Sequence, residues 1–184
     1  LAQELHKQIP LRPKVNSSSI SLNLVLVPCP NANGSENLVA KKWCQFEKIV
    51  NAKNFWKLLY KPNDFGSWPS NGLVIFLGGD QFWSVLLSAR LGYLHMTYAE
   101  WIARWPFWND RIVAMSDKIV NKLPQKIQHR CSVIGDLTAD LTETAKIDDP
   151  LPSGKWIALM PGSKSVKLKI GIPFFLDVAD KISK

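Results

Sequence analysis

Asp80 closes the segment GLVIFLGGD, Gly72 to Asp80, and its setting is the one in this chain best suited to chemistry. Leu73 to Leu77 make a short continuous apolar run, which Gly78 and Gly79 stop. A run of that length bounded by glycines predicts a strand buried on both faces of a parallel sheet. Asp80 then falls just past the strand's carboxyl end, where open α/β sheets hold their ligands. The glycines let a ligand approach the backbone and leave the carboxylate uncrowded. An acid so placed can accept a proton from a substrate hydroxyl. It also fits a plainer role as the N-cap of the helix that FWSVLLSARLG predicts.

Two further segments have two readings each. In YAEWIARWPFWNDR, Trp101, Trp105 and Trp108 fall near helical spacing and can simply be core. Alternatively Tyr98, Trp101 and Trp105 line an acyl-chain or sugar pocket, with Arg104 holding an anion. In WIALMPGSKS, a strand, a tight turn and Lys164 can hold a phosphate on backbone N–H groups. The first glycine of a Walker A loop is missing there, and the run KSVKLK also reads as a solvated loop. His6, His95 and His129 show no ligand spacing, and His95 reads as structural, with a substrate contact as the alternative.

The elements that must position these residues follow from pattern. Leu1 to Gln8 reads as a helix ended by Pro10, and Arg12 to Ser19 as loop. Ile20 to Val27 is rich in strand formers. Asn31 to Asn37 is a turn cluster, and Leu38 to Tyr60 is predicted helical because Trp43, Phe46, Ile49 and Val50 recur at helical spacing. Lys61 to Asn71 is loop. After the strand Leu73 to Leu77 comes a helix, Gln81 to Leu91, with Gly92 as its stop. Strands are predicted at Tyr93 to Thr97, Arg111 to Met115 and Cys131 to Ile134, with a helix over Asp117 to Lys126. Thr142 to Gly154 reads as a linker, Trp156 to Met160 as a strand, and Pro173 as the start of a final helix. Short apolar strands alternating with helices indicate an α/β fold with a parallel sheet.

The 184 residues suffice for one domain with a real core, or for one domain plus part of another. The net charge of +8 favours anionic partners. Scattered lysines and the lack of any nucleic-acid motif disfavour nucleic acid among them. Cys29, Cys44 and Cys131 form no C-x-x-C pair, so neither a zinc site nor a disulfide framework is implied, which fits a reducing compartment. No apolar stretch approaches the ~20 residues needed to span a bilayer. The opening LAQELHKQIP resembles the tail of a helix and lacks an initiator Met, so the true start is expected upstream.

Four segments in order are similar to the lipid-A-disaccharide synthase family, glycosyltransferases built from two Rossmann domains (GT-B). LVIFLGGDQF resembles the family's strand ending in G-x-D, and GYLHMTYAEWIARW the strand and aromatic loop that follow. CSVIGDLTADL resembles the end of the first domain, with Gly135 and Asp140 matching. IALMPGSKSVKLKIGIPFFLDVADKI resembles the opening of the second. The likeness covers Gly72 to Ile182 and is nearest to the related subgroup found in cyanobacteria. Lys164 stands where the family has arginine, and Lys167 where it has an acid; Ile20 to Tyr60 does not align with the family.

The resemblance implies a Rossmann-like acceptor-side domain over residues 1–141, with its first strand and Gly-rich loop lying before Leu1. It implies a linker over 142–154 and a truncated nucleotide-sugar-binding domain over 155–184, represented by its first strand and helix. It implies an inverting hexosyltransferase of lipid A biosynthesis. A UDP-linked acylated glucosamine is the donor and an acylated glucosamine phosphate the acceptor, with no metal and no cofactor beyond the UDP-sugar. Asp80 would be the catalytic base. Gly78, Gly79, Gln81, Tyr98, Arg104 and Trp105 would bind substrate, and Gly162, Ser163 and Lys164 the donor phosphates. The protein would be cytoplasmic and peripheral on the anionic inner membrane, and a fragment of this length inactive by itself. The alternative is a nonenzymatic lipid- or phosphosugar-binding relative with the same fold.

Overall fold

The computed structural model describes residues 2–8, 20–29, 34, 36–43, 46–139, 153–162 and 165–182. The chain divides into two compact units, Leu1–Thr144 and Ala145–Lys184. The first is an α/β unit whose described strands all pair in parallel, in a two-stranded and a four-stranded sheet.

Helix α1 (Ala2–Gln8) precedes strand β1 (Asn23–Val25). Helix α2 (Glu36–Trp43) is followed by β2 (Lys48–Val50), which pairs with β1. The single helix expected over Leu38 to Tyr60 is therefore interrupted. Ile49 and Val50 happen to continue the helical spacing of Trp43 and Phe46, but as β-branched residues they pack well on a sheet, and β1 supplies the ladder. A 3₁₀ turn at Ala52–Asn54 leads into α3 (Phe55–Tyr60). A second 3₁₀ turn, Pro62–Phe65, lies within the expected loop.

Strand β3 (Leu73–Phe76), helix α4 (Gln81–Leu91) and β4 (Leu94–Ala99) form the next unit, with β3 and β4 paired from Leu73 with Leu94 to Phe76 with Thr97. Gly92 ends α4 in the left-handed conformation at φ 68°, which a residue with a β-carbon resists. Strands β5 (Arg111–Ala114) and β6 (Cys131–Val133) complete the order β3-β4-β5-β6. Between them Pro124 breaks the predicted helix into α5 (Asp117–Val120) and α6 (Gln125–Gln128), as a residue without an N–H must.

Strand β3 is not buried on both faces. It is the edge of its sheet, and Leu73 and Leu77 are 48% and 46% exposed. Burial is deepest along β4 and β5, where Thr97, Ile112 and Ala114 have no exposed surface. One core cluster gathers Ala99, Ile112, Ala114, Ile119 and Ile127 under β4 and β5. A second joins Val50, Phe55, Leu58 and Leu87, with Val25, Val27 and Val74 against it, so it runs beneath both sheets.

In the second unit the helix Ser165–Ile182 begins two turns earlier than expected, and Pro173 lies inside it. The lysine run is thus partly helical, with Lys167 and Lys169 on its first turns. Trp156 to Met160 form no strand, because a parallel strand needs a neighbour and the described part of this unit offers none. The turn before the helix packs closely: a β-carbon on Gly171 would meet Pro161 at 3.1 Å. Most of the expected linker, and Asp140, lie outside the described residues.

Candidate functional site

Asp80 occupies the turn between β3 and α4, at the carboxyl end of the strand. Its Oδ1 accepts a hydrogen bond from the Phe82 N–H at 3.0 Å, so it is the N-cap of α4. That bond uses one carboxylate oxygen and fixes the orientation of the other. The side chain is exposed, and among the described residues no lysine, arginine or histidine pairs with it. Gly79 precedes it at φ 99°, and a β-carbon there would come within 3.2 Å of the Val27 side chain.

Asp80 lines a cavity of about 450 Å³, within the usual size of small-ligand sites. Gly78, Gly79, Gln81, Tyr98 and Arg104 line it too, so all of the expected substrate-binding residues but one are brought together. Trp105 is the exception: its ring stacks on Trp108 at 5.4 Å and packs against Phe82 at 5.6 Å, outside the cavity wall. Glu100, Trp101 and Ile102 line the cavity. Glu100 and Ile102 were not anticipated from sequence, and Trp101 only as one of two readings. The signal for them is positional: they follow the end of β4, which lies beside the end of β3.

Several of these side chains build the wall with their polar atoms. The Gln81 amide donates to the Ile102 carbonyl at 2.8 Å and accepts from the Arg104 N–H, tying α4 to the aromatic loop. The Tyr98 hydroxyl donates to the Gly135 carbonyl at 3.0 Å and accepts from the Leu137 N–H at 3.1 Å, which pins the turn after β6. Asn109, 1% exposed, donates to the carbonyls of Trp105 and Arg104 at 3.0 and 3.4 Å. Trp105 needs that hold, since its φ of 53° is the only positive value among the described non-glycine residues. The groups left to meet a ligand are therefore the Asp80 and Glu100 carboxylates, the Arg104 guanidinium and the Trp101 ring.

His95 lies beneath this site and is 1% exposed. Its Nε2 is 2.9 Å from the Ser84 hydroxyl, which donates to the Gln81 carbonyl at 2.8 Å. Burial pushes the His95 pKa down, opposed by the Asn109 side chain and the Asp110 carboxylate nearby. The ring bonds within the protein and does not line the cavity, which fits its structural reading.

Of the expected donor-phosphate residues, Gly162 sits in the turn before the second unit's helix at φ 90°, while Ser163 and Lys164 lie outside the described residues. Compared with known proteins, the chain is matched by no family model, no curated protein and no solved structure.

Proposed function

We propose that the Asp80 cavity is the acceptor site of an inverting glycosyltransferase of the lipid-A-disaccharide synthase type. The observation that carries this reading is a carboxylate at the end of a parallel strand, free of any described cation, oriented by one backbone N–H and facing a ligand-sized cavity. Its free oxygen takes the proton of an acceptor hydroxyl as the hydroxyl oxygen bonds the donor's anomeric carbon. The bond from that carbon to the UDP oxygen breaks, and UDP leaves with the electron pair. Arg104 suits the acceptor phosphate, and Trp101, 80% exposed, suits a sugar face or acyl chain. On this reading residues 155–184 open the donor domain, so transfer is assayed on the two-domain protein.

Asp80→Asn keeps the cap, because asparagine is an equally good N-cap, and removes the base. Turnover should fall ~100- to 10,000-fold with the melting temperature nearly unchanged. Wild-type turnover in this variant would refute the assignment.

Membrane attachment belongs to the same proposal. No described helix is long and apolar enough to cross a bilayer. Trp101, Phe107 and Trp108 are exposed on a chain of net charge +8, as a peripheral contact with the anionic cytoplasmic leaflet requires. Absence of co-sedimentation with anionic vesicles at low salt would count against it. The nonenzymatic reading is favoured by one observation, lysine at 167 on the donor-side helix where the resemblance expects an acid. Saturable lipid binding without UDP release would select it.

A further inference from the structure

Three charged side chains line the Asp80 cavity. Asp80 takes the proton and Arg104 suits the phosphate, which leaves Glu100. It follows β4 directly, three residues past Thr97, the last residue of β4 paired with β3. Asp80 lies four residues past Phe76, the partner of Thr97. Adjacent strands lie about 4.8 Å apart, so the two carboxylates stand on neighbouring strand ends. Tyr98 and Glu100 are two positions apart, and side chains two apart along a strand leave the same face. Both line the cavity. The Tyr98 hydroxyl is occupied by Gly135 and Leu137. Among the described residues no hydrogen bond or ion pair engages the Glu100 carboxylate.

The charges of the cavity exclude the simplest ligands. Two carboxylates and one guanidinium make it locally acidic within a chain of net charge +8. A simple anion would meet Asp80 and Glu100, and a simple cation would meet Arg104. A wholly apolar molecule would strip water from all three without replacing it. The complement is a molecule with an anion at one end and hydrogen-bond donors at the other. An ionised carboxylate only accepts and a guanidinium only donates. The phosphate therefore belongs at Arg104 and the hydroxyls at the carboxylates. One Asp80 oxygen is taken by the Phe82 N–H, which leaves one for the reacting hydroxyl. Glu100 keeps both of its oxygens for a second hydroxyl. Trp101, next in sequence and 80% exposed, adds a ring for the sugar's face.

We infer that Glu100 is a specificity-determining residue of this site: it accepts a hydrogen bond from a hydroxyl of the acceptor sugar other than the one that reacts. The inference rests on reading the cavity as an acceptor site. The contact selects the sugar in two ways. It favours a hydroxyl at one ring position, and it turns the ring so that a different hydroxyl meets Asp80. A sugar lacking that hydroxyl covers the carboxylate without bonding it, which is the costlier side of any hydrogen-bonded site. The same charge repels a second phosphate at that position, so discrimination works by exclusion as well as by attraction.

The test is a chemical-shift titration of the 184-residue chain and its Glu100→Gln variant. The probes are N-acetylglucosamine 1-phosphate and its 3-, 4- and 6-deoxy analogues. Glu100 is exposed and glutamine has nearly its shape, so the variant should keep the wild-type spectrum away from the cavity. In the wild type, removal of one particular hydroxyl besides the reacting one should weaken binding about tenfold or more. Glu100→Gln should weaken the parent sugar by a similar factor and become indifferent to that same hydroxyl. It should keep its response to the other deoxy positions. Three results would overturn the inference while leaving a sugar site in place. The wild type could bind all four probes alike. The variant could keep the full wild-type preference. The variant could bind every probe more tightly, which would make Glu100 only a charge opposing the phosphate. Absence of saturable shifts with any probe would overturn this inference and the acceptor-site reading together.

Discussion

The loop beside Asp80 and the edges of β1 and β3 are built in opposite ways. Around Asp80, Gln81 holds Ile102 and Arg104, Asn109 holds Arg104 and Trp105, and Tyr98 holds Gly135 and Leu137. Backbone in an irregular loop has been given side-chain partners, and the left-handed Trp105 is fixed among them. Along β1 and β3 the backbone is regular, and it faces open space. The first region is a finished surface against which a small ligand can be oriented. The second is a pair of open strand edges over the cluster of Val50, Phe55, Leu58 and Leu87, whereas Ala103 of the loop belongs to the cluster under β4 and β5. The irregular backbone is the bonded one, and the regular backbone is the one left open.

The contrast can be broken at the floor of the open edges. Phe55 has no exposed surface and touches Trp83 of α4 edge-on at 5.6 Å. Phe55→Ala should cost about 3–5 kcal/mol in denaturant unfolding and loosen the open edges most, reaching the loop only through Trp83 and Phe82 of α4. Equal loosening of both regions would mean that one floor serves both.

A smaller effect sharpens the contrast on the finished side. Gln81→Ala leaves the Ile102 carbonyl and the Arg104 N–H without their partner, which should cost about 1–3 kcal/mol and expose the Arg104 amide to fast exchange. Retained protection of that amide would show that something else holds the loop.

The His95 linkage gives a pH test of the same region. Its folded pKa lies below the ordinary value of 6.5, so the unfolded chain binds the proton more readily. Its contribution to stability is complete above about pH 6.5 and is lost as pH falls toward the folded value. His95→Gln should flatten that part of the stability profile, and an unchanged slope would remove His95 as the cause.

The smallest change is expected at the open edge. Leu77→Ala should alter stability by no more than about 0.5 kcal/mol, because half of that side chain is already in water. A loss of core size would show that edge to be covered in solution.

The parts legible in sequence are those where local chemistry and tertiary context agree. Asp80 and Gly92 bracket α4 as cap and stop, and RIVA and CSV form strands within a residue of expectation. The cap reading of Asp80 holds, and it leaves the second carboxylate oxygen for the proposed base. The misreadings arise where a pattern is satisfied by more than one structure. Ile49 and Val50 obey helical spacing yet pair with β1, and Trp156 to Met160 have a strand's composition without a neighbour to bond. Pro173 suggested a helix start because its missing N–H is harmless there, but the preceding turns are also helical. The contacts of Gln81 with the loop, and of Ser84 with His95, join residues 21 and 11 positions apart, which no local pattern encodes. Glu100 became visible only when β4 was seen to end beside β3.

The most direct measurement is a chemical-shift titration of the chain with an acylated glucosamine phosphate. The account predicts saturable shifts at Gly78 to Gln81, Tyr98, Glu100 and Arg104, weakened by Arg104→Ala and retained in Asp80→Asn. Shifts confined to Asn23 to Val27 and Leu73 to Leu77, or no saturable shifts, would contradict it.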